Sequence, residues 1–344
     1  MMQLYNRLSV EEQSGIIEKS GKERIVLSFY KYAFIGNTEI FRNYLYTKFL
    51  RINVLGRIYI AKEGINAQIS LPFENLPFLR NELDKISFLK SIRLNYARQN
   101  DNKSFLKLTV KVRDKIVADG FKHQEIDLTK KGTYVNASQF NQLLEQKSTI
   151  CIDMRNHYES EVGHFKNAFT PNVDTFRESL PLIEKSFSKN KKDKNILLYC
   201  TGGIRCEKAS SYFKQKGFKN VFQMEGGIIE YARQAKEMKI ENKFKGVNFV
   251  FDERKGERIS EEVISNCHLC NSPCDSHVNC ANPACNLLFI QCLDCAETYD
   301  GCCCSDCQKI INLPFEKQKS LRKGKKNSHK VFNKGRSKVL KYKR

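Results

Sequence analysis

Apolar positions along the first hundred residues fall into short alternating runs separated by stretches of helical spacing. Residues 25–34, Ile-Val-Leu-Ser-Phe-Tyr-Lys-Tyr-Ala-Phe, are rich in β-branched and aromatic side chains and predict a strand. Residues 38–50 place Ile40, Phe41, Leu45 and Phe49 on one helical face, with Asn37 or Thr38 available as N-cap. Two strands, at 56–61 and 65–70, meet at Glu63-Gly64 in a hairpin-like turn. A helix near 75–85 follows, then strands near 91–96 and 105–112. Strand, helix, two strands, helix, strand is the split-βαβ order, so residues 1–122 are expected to form a ferredoxin-like α+β domain. Such a sheet serves equally as a docking surface or an RNA platform, and the fold by itself carries no activity.

From residue 123 to 245 strand and helix alternate, as in a small parallel α/β sheet. Within it, Ile196-Leu197-Leu198-Tyr199 reads as a buried strand. It runs into Cys200-Thr201-Gly202-Gly203-Ile204-Arg205 and then a helical stretch starting at Cys206. This places the loop at the C-terminal end of a strand, where open α/β sheets bind ligands. Gly202 and Gly203 let the loop curl so that backbone N–H groups converge on the sulfur. The helix N-terminus and the Arg205 cation add positive potential, and all three favour the reactive thiolate.

Cys206 has two readings, a resolving thiol that closes a disulfide with Cys200 or a small buried helix residue. Cys151 lies on a buried strand and should be inert. Asp153 and Arg155, just after a strand at 149–152, are expected to pair and organise the neighbouring loops. His157 and His164 titrate in the range that suits a proton shuttle, although packing or a backbone hydrogen bond explains His164 as well.

Composition narrows the class. The chain has 344 residues, enough for two or three domains, and its 41% hydrophobic content can build their cores. No apolar run approaches the roughly 20 residues needed to span a bilayer. Met1-Met2-Gln3-Leu4-Tyr5-Asn6-Arg7 shows no apolar core or cleavage site of a signal peptide. Fourteen Cys in such a chain predict reduced thiols and metal ligands, and a cytoplasmic location is expected. Residues 315–344 hold thirteen Lys/Arg against one acid, a net +12 out of the chain's +21. That segment is too poor in apolar residues to fold and is expected to be a disordered tail, either a phosphate-binding arm or a solubilising one.

Eleven Cys crowd into residues 267–307, within a module expected at 246–314. Cys267-x2-Cys270, Cys292-x2-Cys295 and Cys304-x2-Cys307 have the knuckle spacing that brings two thiolates to one tetrahedral Zn²⁺. There are ligands for about two structural zinc ions. One pairing joins Cys267 and Cys270 to Cys292 and Cys295, and Cys280 and Cys285 to Cys304 and Cys307; the spacing alone does not fix it. An iron–sulfur cluster or disulfides are the competing readings, though the interleaved Asn, Pro and Asp are closer to zinc ribbons than to ferredoxin runs.

Longer motifs carry a family resemblance. The 151–168 stretch, with Asp153, Arg155, Glu159 and Gly163-His164-Phe165-Lys166-Asn167-Ala168, is similar to the D-x-R…E…G-H segment of rhodanese domains. The Cys200-to-Arg205 loop resembles the rhodanese active loop, which carries a cysteine persulfide, and its six residues suit sulfur better than the longer phosphatase loop. Gly217-Phe218 and Val221-Phe222-Gln223-Met224-Glu225-Gly226-Gly227-Ile228 resemble the closing strand and Gly-Gly turn. Adding Gly56-Arg57-Ile58-Tyr59-Ile60-Ala61-Lys62-Glu63-Gly64-Ile65-Asn66 upstream, Val112-Arg113-Asp114-Lys115, Phe249-Val250-Phe251-Asp252-Glu253-Arg254 and the Cys-rich segment, residues 1–310 resemble the bacterial tRNA uridine hydroxylases.

That resemblance implies oxygen-dependent hydroxylation of the wobble uridine at C5, with the tRNA anticodon region as partner and molecular oxygen as cosubstrate. It implies Cys200 as the reacting thiol, with Arg205 beside it and Thr201, Gly202, Gly203, Asp153 and Arg155 in support. The thiol would either add to C6 of an extruded uracil or carry a persulfide or peroxy-type sulfur. No motif for an organic cofactor is evident, and neither a membrane nor a protein partner is expected. Two alternatives remain open: a persulfide-carrying sulfurtransferase, and an RNA-binding scaffold without catalysis.

Overall fold

The computed structural model describes residues 10–98, 100–121, 126–322 and 340. Helix α1 (Val10–Ser20), which the apolar pattern does not announce, precedes β1 (Arg24–Tyr32), α2 (Thr38–Arg51), β2 (Leu55–Ala61), β3 (Gly64–Pro72), α3 (Leu76–Asp84), β4 (Asn95–Tyr96) and β5 (Leu108–Val112). The sheet order is β4-β1-β3-β2-β5. Its first four strands are those of a split βαβ fold, and β5 is added parallel to β2 on the outer edge. The expected strand at 91–96 shrinks to the pair Asn95–Tyr96 beside β1. Asn37 is the N-cap of α2, its side chain accepting from the Ile40 N–H at 3.0 Å.

Alternation decides the two faces of this sheet. Leu27, Phe29, Ile58, Ile60, Ile65, Ala67 and Ile69 turn inward onto Leu45, Phe49, Leu79 and Leu83 of α2 and α3. Ser28, Tyr30, Tyr32, Asn66 and Gln68 occupy the intervening positions and form a polar face. That face is turned toward the second domain.

The second domain runs β6 (Thr133–Val135), α4 (Ala137–Glu145), β7 (Thr149–Asp153), α5 (His157–Glu161), β8 (Gly163–Phe165), α6 (Phe176–Ser186), β9 (Asn195–Tyr199), α7 (Ile204–Gln215), β10 (Asn220–Met224) and α8 (Gly227–Glu237). Four strands pair in parallel in the order β6-β10-β9-β7. The central strand β9 is apolar on both sides because both sides are covered: Leu197 and Tyr199 join one cluster, Ile196 and Leu198 the other.

β11 (Phe244–Phe249) pairs with β8 on one side and with β12 (Gly256–Arg258) on the other, which ties the third region to the second. The hairpin β13 (His277–Asn279) and β14 (Leu288–Ile290) follows, then α9 (Leu293–Thr298), α10 (Ser305–Ile311) and α11 (Phe315–Arg322). The last helix, eight residues long, occupies the first part of the segment expected to be a tail. Gln318 donates to the Ile311 and Leu313 carbonyls at 2.8 and 2.9 Å, and Arg322 lies over the Phe315 ring, which together give this turn a fixed path. Residues 323–339 and 341–344, the rest of the basic tail, lie outside the described residues. Among the described residues no helix is long and apolar enough to cross a membrane.

Candidate active site

Cys200 follows the last residue of β9 and is wholly buried. The Gly203 N–H donates to its Sγ at 3.2 Å. Gly203 is the N-cap of α7 with φ +96, and a Cβ there would stand 2.8 Å from the Tyr30 hydroxyl, so both backbone and space demand glycine. Gly227, the first residue of α8, has φ +67, and a Cβ would come within 2.4 Å of the Cys200 carbonyl oxygen. The Ile228 and Ile229 N–H groups donate to the carbonyls of Cys200 and Thr201, so the N-terminus of α8 holds the loop from behind.

Burial alone would push the Cys200 thiol up. A hydrogen bond from Cys206, the charge of Arg205 and the backbone N–H groups of Arg205 and Cys206 outweigh it and bring Cys200 down to about 6. Burial, and then the same contact with Cys200, push the Cys206 thiol well up. Cys206 is therefore the donor of the pair, and its place in the loop's first helical turn is that of a buried residue touching the Cys200 sulfur.

Arg205 is positioned by a residue that the motif contained and the sequence reading gave no role. Glu159 is completely buried and accepts from both guanidinium nitrogens, at 2.6 and 2.8 Å. The same carboxylate closes the capping box of α5 by accepting from the Asn156 N–H at 3.0 Å. Arg205 also reaches Thr201 Oγ1 at 3.4 Å. Although burial would raise the Glu159 carboxyl, Arg205 holds it below the usual carboxylate value, so the pair stays ionised.

Asp153 and Arg155 form a second buried pair, with Nη2 2.6 Å from Oδ2. Arg155 also donates to the Gly163 carbonyl at 2.5 Å and lies over the rings of Tyr199 and Phe244. These contacts brace β7 against β8 and β11. His157 faces Asp174 at 2.9 Å, and His164 Nδ1 meets the Ser160 carbonyl at 2.8 Å.

The polar face of the first sheet covers the loop. Tyr30 and Tyr134 both donate to Glu207 Oε1, at 3.1 and 2.6 Å, and Lys131 takes the other oxygen at 2.6 Å. Tyr32 donates to the Ile204 carbonyl at 3.2 Å. Lys208, 2% exposed, is held by Glu63 at 2.8 Å and Asp119 at 2.5 Å. Arg93 pairs with Glu225 and Glu230. None of these partners is legible from one chain, because each joins residues far apart in sequence. A cavity of about 60 Å³ remains between sheet and loop, lined by Ser28, Gln68, Asn95, Thr201, Arg254 and Glu257. It is well below the roughly 300–1,000 Å³ of small-molecule sites. A far larger cleft, about 1000 Å³, opens beside Lys208, Lys62 and Arg113, further along α7 from the sulfur.

In the third region two groups of four sulfurs each lie within 4.8 Å of one another: Cys267, Cys270, Cys292 and Cys295, and Cys280, Cys285, Cys303 and Cys307. The second group corrects the expected pairing, because Cys303 takes the place given to Cys304. Cys304, the N-cap of α10, lies beside the group with its sulfur 4.0 Å from that of Cys303, but is not one of the four mutually close sulfurs. Backbone N–H groups of Cys292 and Cys303 donate to Cys267 and Cys280 sulfurs at 3.4 and 3.5 Å. Four converging soft donors suit a tetrahedral metal ion, and both groups could hold one.

Three family profiles match the chain: an UPF0176 acylphosphatase-like domain over 24–116, a rhodanese-like domain over 136–234 and a rhodanase C-terminal region over 245–308. The protein named tRNA uridine(34) hydroxylase from Photorhabdus laumondii is 51% identical over 98% of this chain and 96% of its own length. The protein of the same name from Yersinia pestis strain Pestoides F is 50% identical over 97% and 94%. Among solved structures, a rhodanese-like domain protein from Staphylococcus aureus is 26% identical, covering 29% of this chain and 90% of that one with a TM-score of 0.24. At half identity along nearly its whole length, this chain belongs to the tRNA uridine(34) hydroxylase family.

Proposed function

We propose that this protein hydroxylates C5 of the wobble uridine of tRNA and that Cys200 is the thiol that reacts with the base. The observation that carries this reading is the buried Cys200 itself, held down at about 6 and therefore ionised at neutral pH. A thiolate adds to C6 of uracil, the electron pair moves onto O4, and C5 becomes the carbon that takes oxygen. Loss of the C5 proton and cleavage of the C6–S bond restore the ring. In balance, uridine, O₂, two electrons and two protons give 5-hydroxyuridine and water, so an external two-electron reductant such as a dithiol completes the reaction.

Arg205 keeps the sulfur anionic, while Thr201, Gly202 and Gly203 shape the loop around it. Cys206 serves as hydrogen-bond donor to Cys200, and as the neighbouring thiol it would be the one to resolve an oxidised Cys200. Asp153 and Arg155 brace the strands beneath. The anticodon region is the part of tRNA engaged, with the first domain and the basic tail contributing contacts, in the cytoplasm. Two zinc ions, one in each sulfur group, give the third region its structure; the metal supplies cross-linking there and no chemistry at Cys200.

The test is mass spectrometry of tRNA nucleosides from cells with and without the gene, and from cells carrying only Cys200→Ala. Loss of 5-hydroxyuridine in both the deletion and the mutant supports the reading. Wild-type levels in the mutant would sink it, and thiosulfate-to-cyanide sulfur transfer with unchanged tRNA would favour a sulfurtransferase.

A further inference from the structure

Asn95 sits on β4, 4% exposed, and its side-chain Oδ1 is buried with no hydrogen-bond partner among the described residues. A buried carboxamide oxygen without a partner is completed by a water or a ligand, or stores strain. Its direction is fixed by backbone pairing with Ser28 of β1. Its Nδ2 lies 3.6 Å from the position a Cβ on Gly202 would take, so the amide faces the loop that carries Cys200. It also lines the small cavity between that loop and the sheet, beside Gln68 and Thr201.

We propose that Asn95 reads the Watson–Crick edge of the target uracil, with Oδ1 accepting from N3–H and Nδ2 donating to O4. This rests on the uridine-hydroxylase reading above. Uracil presents a donor at N3 flanked by carbonyl acceptors, and a carboxamide offers the matching acceptor and donor side by side. Ring geometry agrees with the placement. The sulfur adds to C6 from the face of the ring, which leaves the N3–H and O4 edge free in the ring plane to meet the sheet that covers the loop. Asn95 presents a buried acceptor on that sheet, which makes it a specificity-determining residue.

The experiment uses the full-length protein in single-turnover reactions with tRNA carrying uridine or N3-methyluridine at the wobble position. Wild type should lose about ten- to a hundred-fold on the methylated substrate, the usual cost of leaving a buried hydrogen-bonding group unmatched. Asn95→Ala should lose a similar factor on uridine and little more on N3-methyluridine, while tRNA affinity, dominated by phosphate contacts, stays within a few-fold. Asn95→Asp, which keeps the shape and sets a carboxylate against O4, should behave like Asn95→Ala and guards against a folding defect in the smaller side chain. Full activity of both variants on uridine, or losses from mutation and methylation that simply multiply, would overturn the assignment and leave the uridine reading standing. A wild-type protein that forms no 5-hydroxyuridine would overturn that reading and this assignment with it.

Discussion

Glu159 grips Arg205 through both carboxylate oxygens, at 2.6 and 2.8 Å, and through that grip a helix cap is tied to the cation beside Cys200. Glu159→Ala should leave a buried guanidinium without its anion and cost about 3–5 kcal/mol of stability. It should also release Arg205 and let the Cys200 thiol rise. Urea unfolding measures the first effect and thiolate absorbance near 240 nm against pH the second. Unchanged values in both would show that the pair does not organise the loop.

The thiolate sets the pH dependence. Cys200 is brought from its ordinary value near 9 to about 6, so protonation below that point would switch off the nucleophile proposed above. Single-turnover rates should rise with pH, level off above about 6 and show no further limb near 9 attributable to this thiol. Cys206→Ala removes the donated hydrogen bond and should move the limb upward. A limb that stays near 9 in wild type would contradict the loop's electrostatics.

Adjacent cysteines should behave differently in the third region. Cys303 is among the four converging sulfurs and Cys304 is not. Cys303→Ser should reduce metal content from about two ions per chain to about one and lower the melting temperature, while Cys304→Ser should leave both ions in place. Elemental analysis of the two purified variants decides it, and equal metal loss would reject the assignment.

Gly203→Ala combines two penalties, a left-handed backbone at φ +96 and a Cβ 2.8 Å from the Tyr30 hydroxyl. The loop must shift to accept it, and displacement by about 1 Å at a reacting centre costs about a hundred-fold in rate. Removing the hydroxyl in the double variant Gly203→Ala/Tyr30→Phe relieves the clash and leaves the backbone strain, so it should recover only part of the loss. Full recovery in hydroxylation assays would mean that the backbone is not strained.

Deleting residues 323–344 removes ten Lys/Arg and no acid. Affinity for tRNA should fall, and the slope of log K against log[salt] should flatten by about 0.7 for each phosphate the tail had neutralised. The uridine that is modified should not change. Filter binding across a salt series checks this, and an unchanged slope would show that the tail does not touch RNA.

Local signals carried most of what the sequence could say. The first domain was readable because its strand and helix periods follow one another within short windows, and the Cys200 loop because its chemistry is contiguous from Tyr199 to Cys206. Where readings failed, the deciding interaction was not local. Cys303 and Cys304 are adjacent, and knuckle spacing favours Cys304; which of the two sulfurs joins the group is set by how the folded chain brings residues 280–307 together. Glu207 and Lys208 look like exposed helix charges, yet Tyr30 and Glu63, 177 and 145 positions away, bury them against the first sheet. Glu159 stood inside the motif, but its double duty needs a three-dimensional view of Arg205. Asn95 had no signal at all, since an unpaired oxygen is visible only when its surroundings have been placed.

A sulfur that is ionised at neutral pH is also the one most easily carried by peroxide to sulfenic and then irreversible sulfinic acid. Cys200 has no exposed surface, because Tyr30, Tyr32 and Asn95 lie across its loop. The seam between sheet and loop thus acts as a guard in the resting protein: the residue best suited to react is withheld from small oxidants, and its lifetime is set by how often that seam opens.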